Sequence, residues 1–270
     1  MDVIMCQLLG MNCNTPTDIT FSFEGFRRRA GLTDCHTDGF GIAFFEGKGI
    51  RIFRDNKAAS SSPIGDLVSQ YRIKSYNVIA HIRKATKGGV VLENTHPFIR
   101  EIWGENWVFA HNGTVENLQH CPKSHYQPIG STDSELAFCC IADKLKQRFA
   151  QKPSEKEIFD AVVDITTELA NYGVFNFILS NGHWMIARCS THLHYVTRKA
   201  PFGKALRDDD VMIDFREYTT EADKVTIITT KPLTKNENWV KMKNGGYVFF
   251  KDGDLLYEIE GSLPDNLDHV

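Results

Sequence analysis

The 270-residue sequence lacks any apolar run approaching the roughly 18 residues that a membrane-spanning helix requires. Its first five residues lack the cationic start and the long apolar stretch of a secretory signal peptide. The formal net charge of −3 gives no basic footprint of the kind that nucleic-acid-binding proteins carry. These absences predict a cytoplasmic protein that binds neither membranes nor nucleic acids.

Cysteine and cofactor signals are equally sparse. The seven cysteines are an odd number and none has the CxxC spacing, so we expect reduced thiols in a protein without a secretion signal. His192 and His194 could face one side of a strand, but no third metal ligand is evident. Gly47 and Gly49 are not followed by the Lys-Ser/Thr pair of a phosphate-binding loop. We therefore predict neither a metal nor another cofactor.

What the chain has is a large hydrophobic fraction, 42%, and strand signals on both sides of a helical pair. Helices are predicted over 132–148 and 154–172, each opening with the Ser/Thr-x-x-Glu pattern of a capping box. Strand-like segments lie at 39–45, 51–53, 77–82, 174–179, 184–189, 225–229, 240–242, 247–250 and 255–259. A further hairpin is predicted around Gly104-Glu105-Asn106, between Trp103 and Trp107, and its second strand runs into His111-Asn112-Gly113. Strands, a helix pair and strands again favour a layered α+β fold over alternating βαβ units.

Cys6 is the candidate nucleophile. A thiol needs a base or a lowered pKa, and no histidine is an obvious partner in this sequence. If Cys6 became the first residue of the mature chain, its own α-amine, with a pKa of ~7.7–8.0, could accept the thiol proton through a water. Met5 directly precedes Cys6, and removal of that Met would expose the amine. The alternative is a small buried residue in an N-terminal strand.

Three later residue groups complement this thiol, although each has a simpler interpretation. Arg83 offers a bidentate fork for a carboxylate, or is a surface Arg at a strand end. Asn112-Gly113 offers two N–H donors for an oxyanion, or is the commonest hairpin turn. Asp133 offers an anion for an ammonium, or is an acid in a capped first helical turn. Together, the groups suit a zwitterionic amino acid whose side-chain amide is attacked.

Five motifs in a fixed order carry a resemblance to a known family. They are His36-Thr37-Asp38-Gly39-Phe40-Gly41, Ala80-His81-Ile82-Arg83, Asn94-Thr95-His96-Pro97-Phe98, His111-Asn112-Gly113 and Thr132-Asp133-Ser134-Glu135. With them, the chain from Met5 to about Phe250 resembles the class II glutamine amidotransferases of the N-terminal-nucleophile hydrolase superfamily, and most closely their stand-alone YafJ-like members.

The resemblance implies a single domain over residues 1–270, folded as an αββα sandwich, that hydrolyses glutamine or another γ-glutamyl amide through a γ-glutamyl thioester. It implies a small-molecule substrate and roles for seven residues. The roles are nucleophile and base for Cys6, oxyanion stabilisation for Asn112 and Gly113, α-carboxylate binding for Arg83, α-ammonium binding for Asp133, and pocket lining for Thr86 and His96.

Two departures from the family pattern leave alternatives open. Five residues precede Cys6 where the family has only the initiator Met, so residues 1–5 are predicted to be an extra segment, and 262–270 a loose tail. Lys84-Ala85 follows Arg83 where members with an attached synthase carry Trp-Ala, so the preferred leaving group is open. The chain could also be a glutaminase subunit that delivers ammonia to a synthase or amidase partner chain, or a non-catalytic ligand-sensing module.

Overall fold

The computed structural model describes residues 6–33, 36–85, 88–118, 121 and 124–261. The predictions for residues 1–5, for Thr86 and for the tail 262–270 lie outside these ranges. Within them, no helix is long and apolar enough to cross a membrane.

Two antiparallel sheets form the centre of the molecule. The first has seven strands, in the order β13 (Val240–Lys241), β9 (His194–Lys199), β12 (Lys224–Thr229), β1 (Gln7–Asp18), β4 (Lys74–Ile82), β2 (Phe40–Glu46) and β3 (Gly49–Asp55). The second has six strands, in the order β15 (Asp254–Ile259), β14 (Tyr247–Lys251), β8 (Trp184–Arg188), β7 (Gly173–Ser180), β6 (Glu105–Val115) and β5 (Phe98–Ile102). A separate pair consists of β10 (Lys204–Leu206) and β11 (Met212–Asp214).

Helices cover the outer face of each sheet. The shorter helices α1 (Thr20–Arg28) and α2 (Pro63–Gln70) pack on the seven-stranded sheet. The longer helices α3 (Asp133–Arg148) and α4 (Glu155–Ala170) pack on the six-stranded sheet. Short 3-10 turns occur at Leu92–Asn94 and Phe215–Glu217.

Strand periodicity explains the four layers. Successive side chains of a strand point to opposite faces, so a strand that is apolar throughout can fill two cores. Leu9 of β1 packs toward α1 and α2, whereas Leu8 packs between the two sheets. Phe109 of β6 packs toward α3 and α4, whereas Val108 packs between the sheets. The result is the four-layer αββα sandwich that the sequence predicted.

The two predicted capping boxes differ in outcome. At the start of α4, Ser154 and Glu157 form the full reciprocal box, as predicted. At the start of α3, the Thr132 hydroxyl accepts the Glu135 N–H at 3.2 Å, but the Glu135 carboxylate turns elsewhere. It accepts the Gly130 N–H at 2.7 Å and pairs with Arg100 at 2.6 Å. The capping-box prediction for α3 is therefore only half right. The Glu135 carboxylate pairs with Arg100 and the Gly130 N–H instead of the Thr132 N–H, and the charged arginine makes this the stronger arrangement.

The prediction of reduced thiols is wrong for one pair. Cys121 and Cys140 form a disulfide across 19 residues of sequence, and both are buried. Cys121 follows β6 and Cys140 lies in α3, and no spacing in the sequence reveals that the two meet. The described free cysteines are Cys6, Cys13, Cys139 and Cys189.

Candidate active site

The candidate site lies where strands of both sheets end at one edge of the space between them. Cys6 directly precedes β1, and Arg83 directly follows β4. Gln7 pairs with Ile82 in the antiparallel ladder. The residue before Gln7 and the residue after Ile82 are therefore neighbours, which brings Cys6 beside Arg83. Asn112 lies near the end of β6, in the facing sheet.

Periodicity directs these side chains into the gap between the sheets. Leu8 and Ala110 belong to the core between the sheets. Because residues two apart share a face, Cys6 points to the same side as Leu8, and Asn112 to the same side as Ala110. Nucleophile and amide therefore approach each other from opposite sheets.

The Cys6 thiol is held by the backbone of one neighbour. The Lys84 N–H donates to Sγ at 3.1 Å, and the S–H faces the Lys84 carbonyl at 3.3 Å. Burial raises the pKa of the thiol to about 11, although the Lys84 backbone and the Arg83 charge oppose this. Among the described histidines, none lies within hydrogen-bond distance of Sγ. The thiol is therefore protonated at neutral pH and needs a proton acceptor for attack.

Arg83 places a fixed cation beside this thiol. The side chain is buried, and its Nη1 and Nη2 donate to the carbonyls of Gly89 at 2.9 Å and Gly88 at 3.2 Å. Burial lowers the pKa of Arg83, whereas the nearby Cys6, Asp38 and Asp133 groups raise it. A guanidinium remains charged at neutral pH under such a shift.

Asn112-Gly113 is not a turn, so the hairpin-turn interpretation is wrong. Both residues lie inside β6 and pair with Asn176 and Phe175 of β7. Gly113 has φ +146°, and a Cβ there would lie 2.0 Å from the Val174 carbonyl, which explains the glycine. The Asn112 amide is buried, and both its oxygen and its nitrogen lack a hydrogen-bond partner within the described residues.

Asp133 is the first residue of α3 and links this helix to the end of β6. Its Oδ2 accepts the Val115 N–H at 2.7 Å. The carboxylate also borders an open cavity of about 470 Å³. The cavity is lined by Val115, Glu116, Asn117, Leu118, Pro128, Gly130, Ser131, Thr132, Asp133 and Leu136. The Asp133 charge also raises the pKa of Cys6, so the two groups lie within electrostatic range of each other.

A cluster of buried histidines lies beneath this site. The rings of His81 and His96 lie with their centroids 4.1 Å apart and are tilted by 34° to each other, and neither ring has a hydrogen-bond partner among the described residues. Burial lowers the pKa of His81 to about 3 and that of His96 well below its usual range. The His111 ring faces the other way, donating through Nε2 to the Val174 carbonyl at 3.0 Å and contacting Ser134 Oγ through Nδ1 at 2.8 Å.

The structure thus places Cys6, Arg83 and Asp133 within electrostatic range of one another. Asn112 of the facing sheet lies on the strand face that is directed into the same gap. Thr86 lies outside the described residues, and the contact predicted for His96 stays a prediction, since its ring is buried against His81. Sequence reasoning gave no role to His81 or to Asp38. Alternation along β4 from the buried Ile79 would have placed His81 between the sheets.

Comparison with known proteins identifies relatives along the whole chain. Residues 5–267 match the family described as class-II glutamine amidotransferases. A Haemophilus influenzae protein, named as a predicted glutamine amidotransferase, is 69% identical over 98% of this chain and 90% of its own length. Escherichia coli YafJ, named in the same way, is 50% identical over 93% of this chain and its full length.

Solved structures agree with these relationships. A predicted glutamine amidotransferase from Pseudomonas aeruginosa superposes with a TM-score of 0.74 at 39% identity, covering 93% of this chain and all of the other. The glutamine phosphoribosylpyrophosphate amidotransferase of Bacillus subtilis superposes with a TM-score of 0.61 at 14% identity, covering 96% of this chain and 50% of the other. The second likeness shows a shared fold.

We predict that Gly113→Ala lowers the free energy of unfolding by about 2–4 kcal/mol. The added Cβ meets the Val174 carbonyl, and the φ of +146° is strained for any other residue. Gly203→Ala is the matched control, because a Cβ there meets nothing within 4 Å, and its effect should stay within about 0.5 kcal/mol. Urea unfolding of both variants measures the difference, and equal stabilities would contradict the strand geometry described for β6.

We also predict that stability falls as the pH drops from 6.5 toward 5. An unfolded histidine binds a proton near pH 6.5, whereas the folded His81, with a pKa of about 3, does not. The unfolded state therefore binds more protons in this window, which costs about 1.4 kcal/mol per pH unit for each such group.

Urea unfolding at several pH values, on the wild type and His81→Phe, measures this slope. For His81→Phe, the slope of the free energy of unfolding against pH should be smaller than in the wild type by the equivalent of close to one bound proton. His183→Ala is the control, a histidine substitution at a side chain that is 64% exposed. Identical slopes for the wild type and His81→Phe would show that His81 titrates normally in the folded protein.

Proposed function

This chain belongs to the class II glutamine amidotransferases, and we propose that it hydrolyses glutamine, or another γ-glutamyl amide, through a γ-glutamyl thioester on Cys6. One observation carries the proposal. A thiol, a guanidinium and a carboxylate lie within electrostatic range of one another at one edge of the space between the sheets, and a buried amide without a partner is directed into that space from the facing sheet. This set matches a substrate with a carboxylate, an ammonium and a side-chain amide.

The proposed proton acceptor is the α-amine of Cys6, in a chain from which residues 1–5 have been removed. Its reference pKa of ~7.7–8.0 leaves a useful fraction neutral at physiological pH. The amine takes the thiol proton, through a water, as sulfur bonds to the γ-carbonyl carbon. That proton then leaves with the departing ammonia or amine. Water next attacks the thioester, releasing the γ-carboxylate and restoring the thiol.

The amino-acid head of the substrate is proposed to bind between Arg83 and Asp133. The α-carboxylate pairs with the guanidinium fork and the α-ammonium with the Asp133 carboxylate. Arg83 already donates to the Gly88 and Gly89 carbonyls, so the substrate carboxylate would join or replace these acceptors. Both protein charges act on the Cys6 thiol, which supports a head group bound next to the nucleophile.

The oxyanion is proposed to accept the Asn112 side-chain N–H and the Gly113 backbone N–H. A buried amide without a partner normally costs stability, on the order of 1–3 kcal/mol. Such a cost is understandable where a ligand supplies the missing bond. The Asn112 amide faces the gap that Cys6 enters from the other sheet, which favours this assignment.

A second candidate function is a glutaminase subunit that delivers ammonia to another chain. The observation that favours it is the Bacillus subtilis match, in which half of that chain lies outside the shared fold. An acceptor-binding part could then be a separate polypeptide here. Glutamine turnover by the purified chain alone, compared with turnover in the presence of cell extract, distinguishes the two functions.

We predict that activity requires Cys6 as the first residue. Protein processed to begin at Cys6 should hydrolyse glutamine and form a thioester with a γ-glutamyl probe, because its free amine accepts the thiol proton. Protein that keeps residues 1–5 should be inactive, and Cys6→Ala should abolish turnover while glutamine still binds.

Intact mass, probe labelling and calorimetry measure these outcomes. Cys13→Ala is the control, because it removes a buried free thiol distant from the site. Equal turnover with residues 1–5 retained would exclude the α-amine as base, and turnover by Cys6→Ala would remove Cys6 from the mechanism.

We predict that substitutions at the residues proposed to bind the amino-acid head mainly change KM, whereas substitution at the proposed oxyanion residue mainly changes kcat. Arg83→Lys keeps the charge but loses the fork, so it should mainly raise KM. Asp133→Asn should also raise KM for a substrate with a free α-ammonium. Asn112→Ala should lower kcat on the order of 10²–10³-fold with little change in KM, because its bond strengthens as charge develops on the oxygen.

Arg72→Lys is the control for the first variant, since Arg72 is 72% exposed at the opposite end of β4. It should leave both constants unchanged. An Asn112→Ala enzyme with altered KM and normal kcat would contradict the oxyanion role.

A further inference from the structure

The motif that begins at His36 contains an acid, Asp38, that the proposed mechanism does not use. Asp38 precedes β2, and its backbone N–H donates to the Arg83 carbonyl at 3.2 Å. The Arg83 N–H in turn donates to the Gly39 carbonyl at 2.8 Å. These bonds continue the β2–β4 ladder, so the Asp38 main chain is fixed beside the site independently of its side chain.

The Asp38 carboxylate contacts the two residues that follow Arg83. Its Oδ2 accepts the Ala85 N–H at 2.8 Å and lies 3.8 Å from Lys84 Nζ. The Asp38 side chain is 22% exposed, which makes the hydrogen bond to the backbone more persistent than a surface contact. One carboxylate oxygen therefore restrains both the main chain and the side chain of this segment.

The restrained peptide group is the one that faces the nucleophile. The Ala85 N–H and the Lys84 carbonyl belong to one planar peptide unit, so fixing one end fixes the other. That carbonyl faces Cys6 Sγ at 3.3 Å, and the preceding N–H of Lys84 donates to Sγ at 3.1 Å. The contacts form a continuous chain from the Asp38 carboxylate through one peptide to the thiol, and each bond polarises the next.

From this chain of contacts we infer that Asp38 is a positioning residue, which orients the 84–85 peptide so that the Lys84 backbone aims the Cys6 thiol at the γ-carbonyl carbon. The inference rests on the proposed function, because it takes Cys6 as the nucleophile. Asp38 acts through Ala85 and Lys84 rather than on the substrate. Loss of the hydrogen bond misplaces the nucleophile, which costs roughly 10- to 100-fold in rate. The Asp38 charge also acts on Arg83, so a smaller effect on binding should be common to every variant that removes the charge, and the difference between the Ala and Asn variants isolates the hydrogen bond.

The test compares Asp38→Ala with Asp38→Asn in the full chain processed to begin at Cys6, with glutamine as substrate. The Ala variant should lose roughly 10- to 100-fold in kcat with KM within about threefold of wild type. The Asn variant keeps an oxygen that accepts the Ala85 N–H, so its kcat should recover to within about threefold of wild type. Asp66→Ala, which removes a 54% exposed carboxylate paired with Arg27, should behave as wild type.

A normal kcat for Asp38→Ala would overturn the inference, as would an Asn variant as slow as the Ala variant. If Asp38→Ala does not fold by circular dichroism, Ala85→Pro deletes the same hydrogen bond from the donor side. That variant should show the same loss of kcat, and an unchanged kcat would overturn the inference. A wild-type enzyme without turnover on glutamine or any γ-glutamyl amide would instead overturn the proposed function, together with the inference based on it.

Discussion

The pairing of β1 with β4 is the constraint on which the candidate site depends. Its register sets Gln7 opposite Ile82 and thereby places Cys6 beside Arg83. A slip of one residue would turn every side chain of β1 to the other face, sending Cys6 toward the helix layer. Such a slip would also move Leu8 out of the core between the sheets, so apolar burial enforces the register that the chemistry needs.

The space between the sheets also contains polar groups that have no hydrogen-bond partner among the described residues. The Asn112 amide and the rings of His81 and His96 are buried without hydrogen-bond partners among the described residues. Apolar residues would be more stable at each position, because an unsatisfied buried group costs on the order of 1–3 kcal/mol. Local conflicts of this kind concentrate at functional sites, where a ligand completes the bonds. These groups therefore lower the stability of the folded chain close to where the proposed chemistry occurs.

Sequence patterns predicted those parts of the fold that depend on local signals. The hairpin of β2 and β3 follows from its glycine turn, and α4 from the Ser154 capping box. The same local signals are also compatible with a turn at Asn112-Gly113. In the structure these residues are extended, because β6 pairs with β7 at this point. Helix α2 was not predicted, since it is short, and its cap at Ser62 depends on the fold around it. Residue types were sufficient to predict the candidate site. Contacts such as the Cys121–Cys140 disulfide and the Asp38–Ala85 hydrogen bond could not be predicted, because they depend on how distant parts of the chain fold together.

On the proposed function, the opposite charges near Cys6 would keep the electrostatic field at its thiol nearly constant when a zwitterion binds. Arg83 lowers the pKa of the thiol and Asp133 raises it. A bound α-carboxylate would cancel much of the first effect, and a bound α-ammonium much of the second. Binding of the whole head group therefore leaves the thiol balanced, whereas a ligand with only one of the charges does not. A substrate that lacks the ammonium would raise the pKa of the thiol further and slow its attack, so the charge pair can select for a complete amino-acid head at the chemical step as well as in binding.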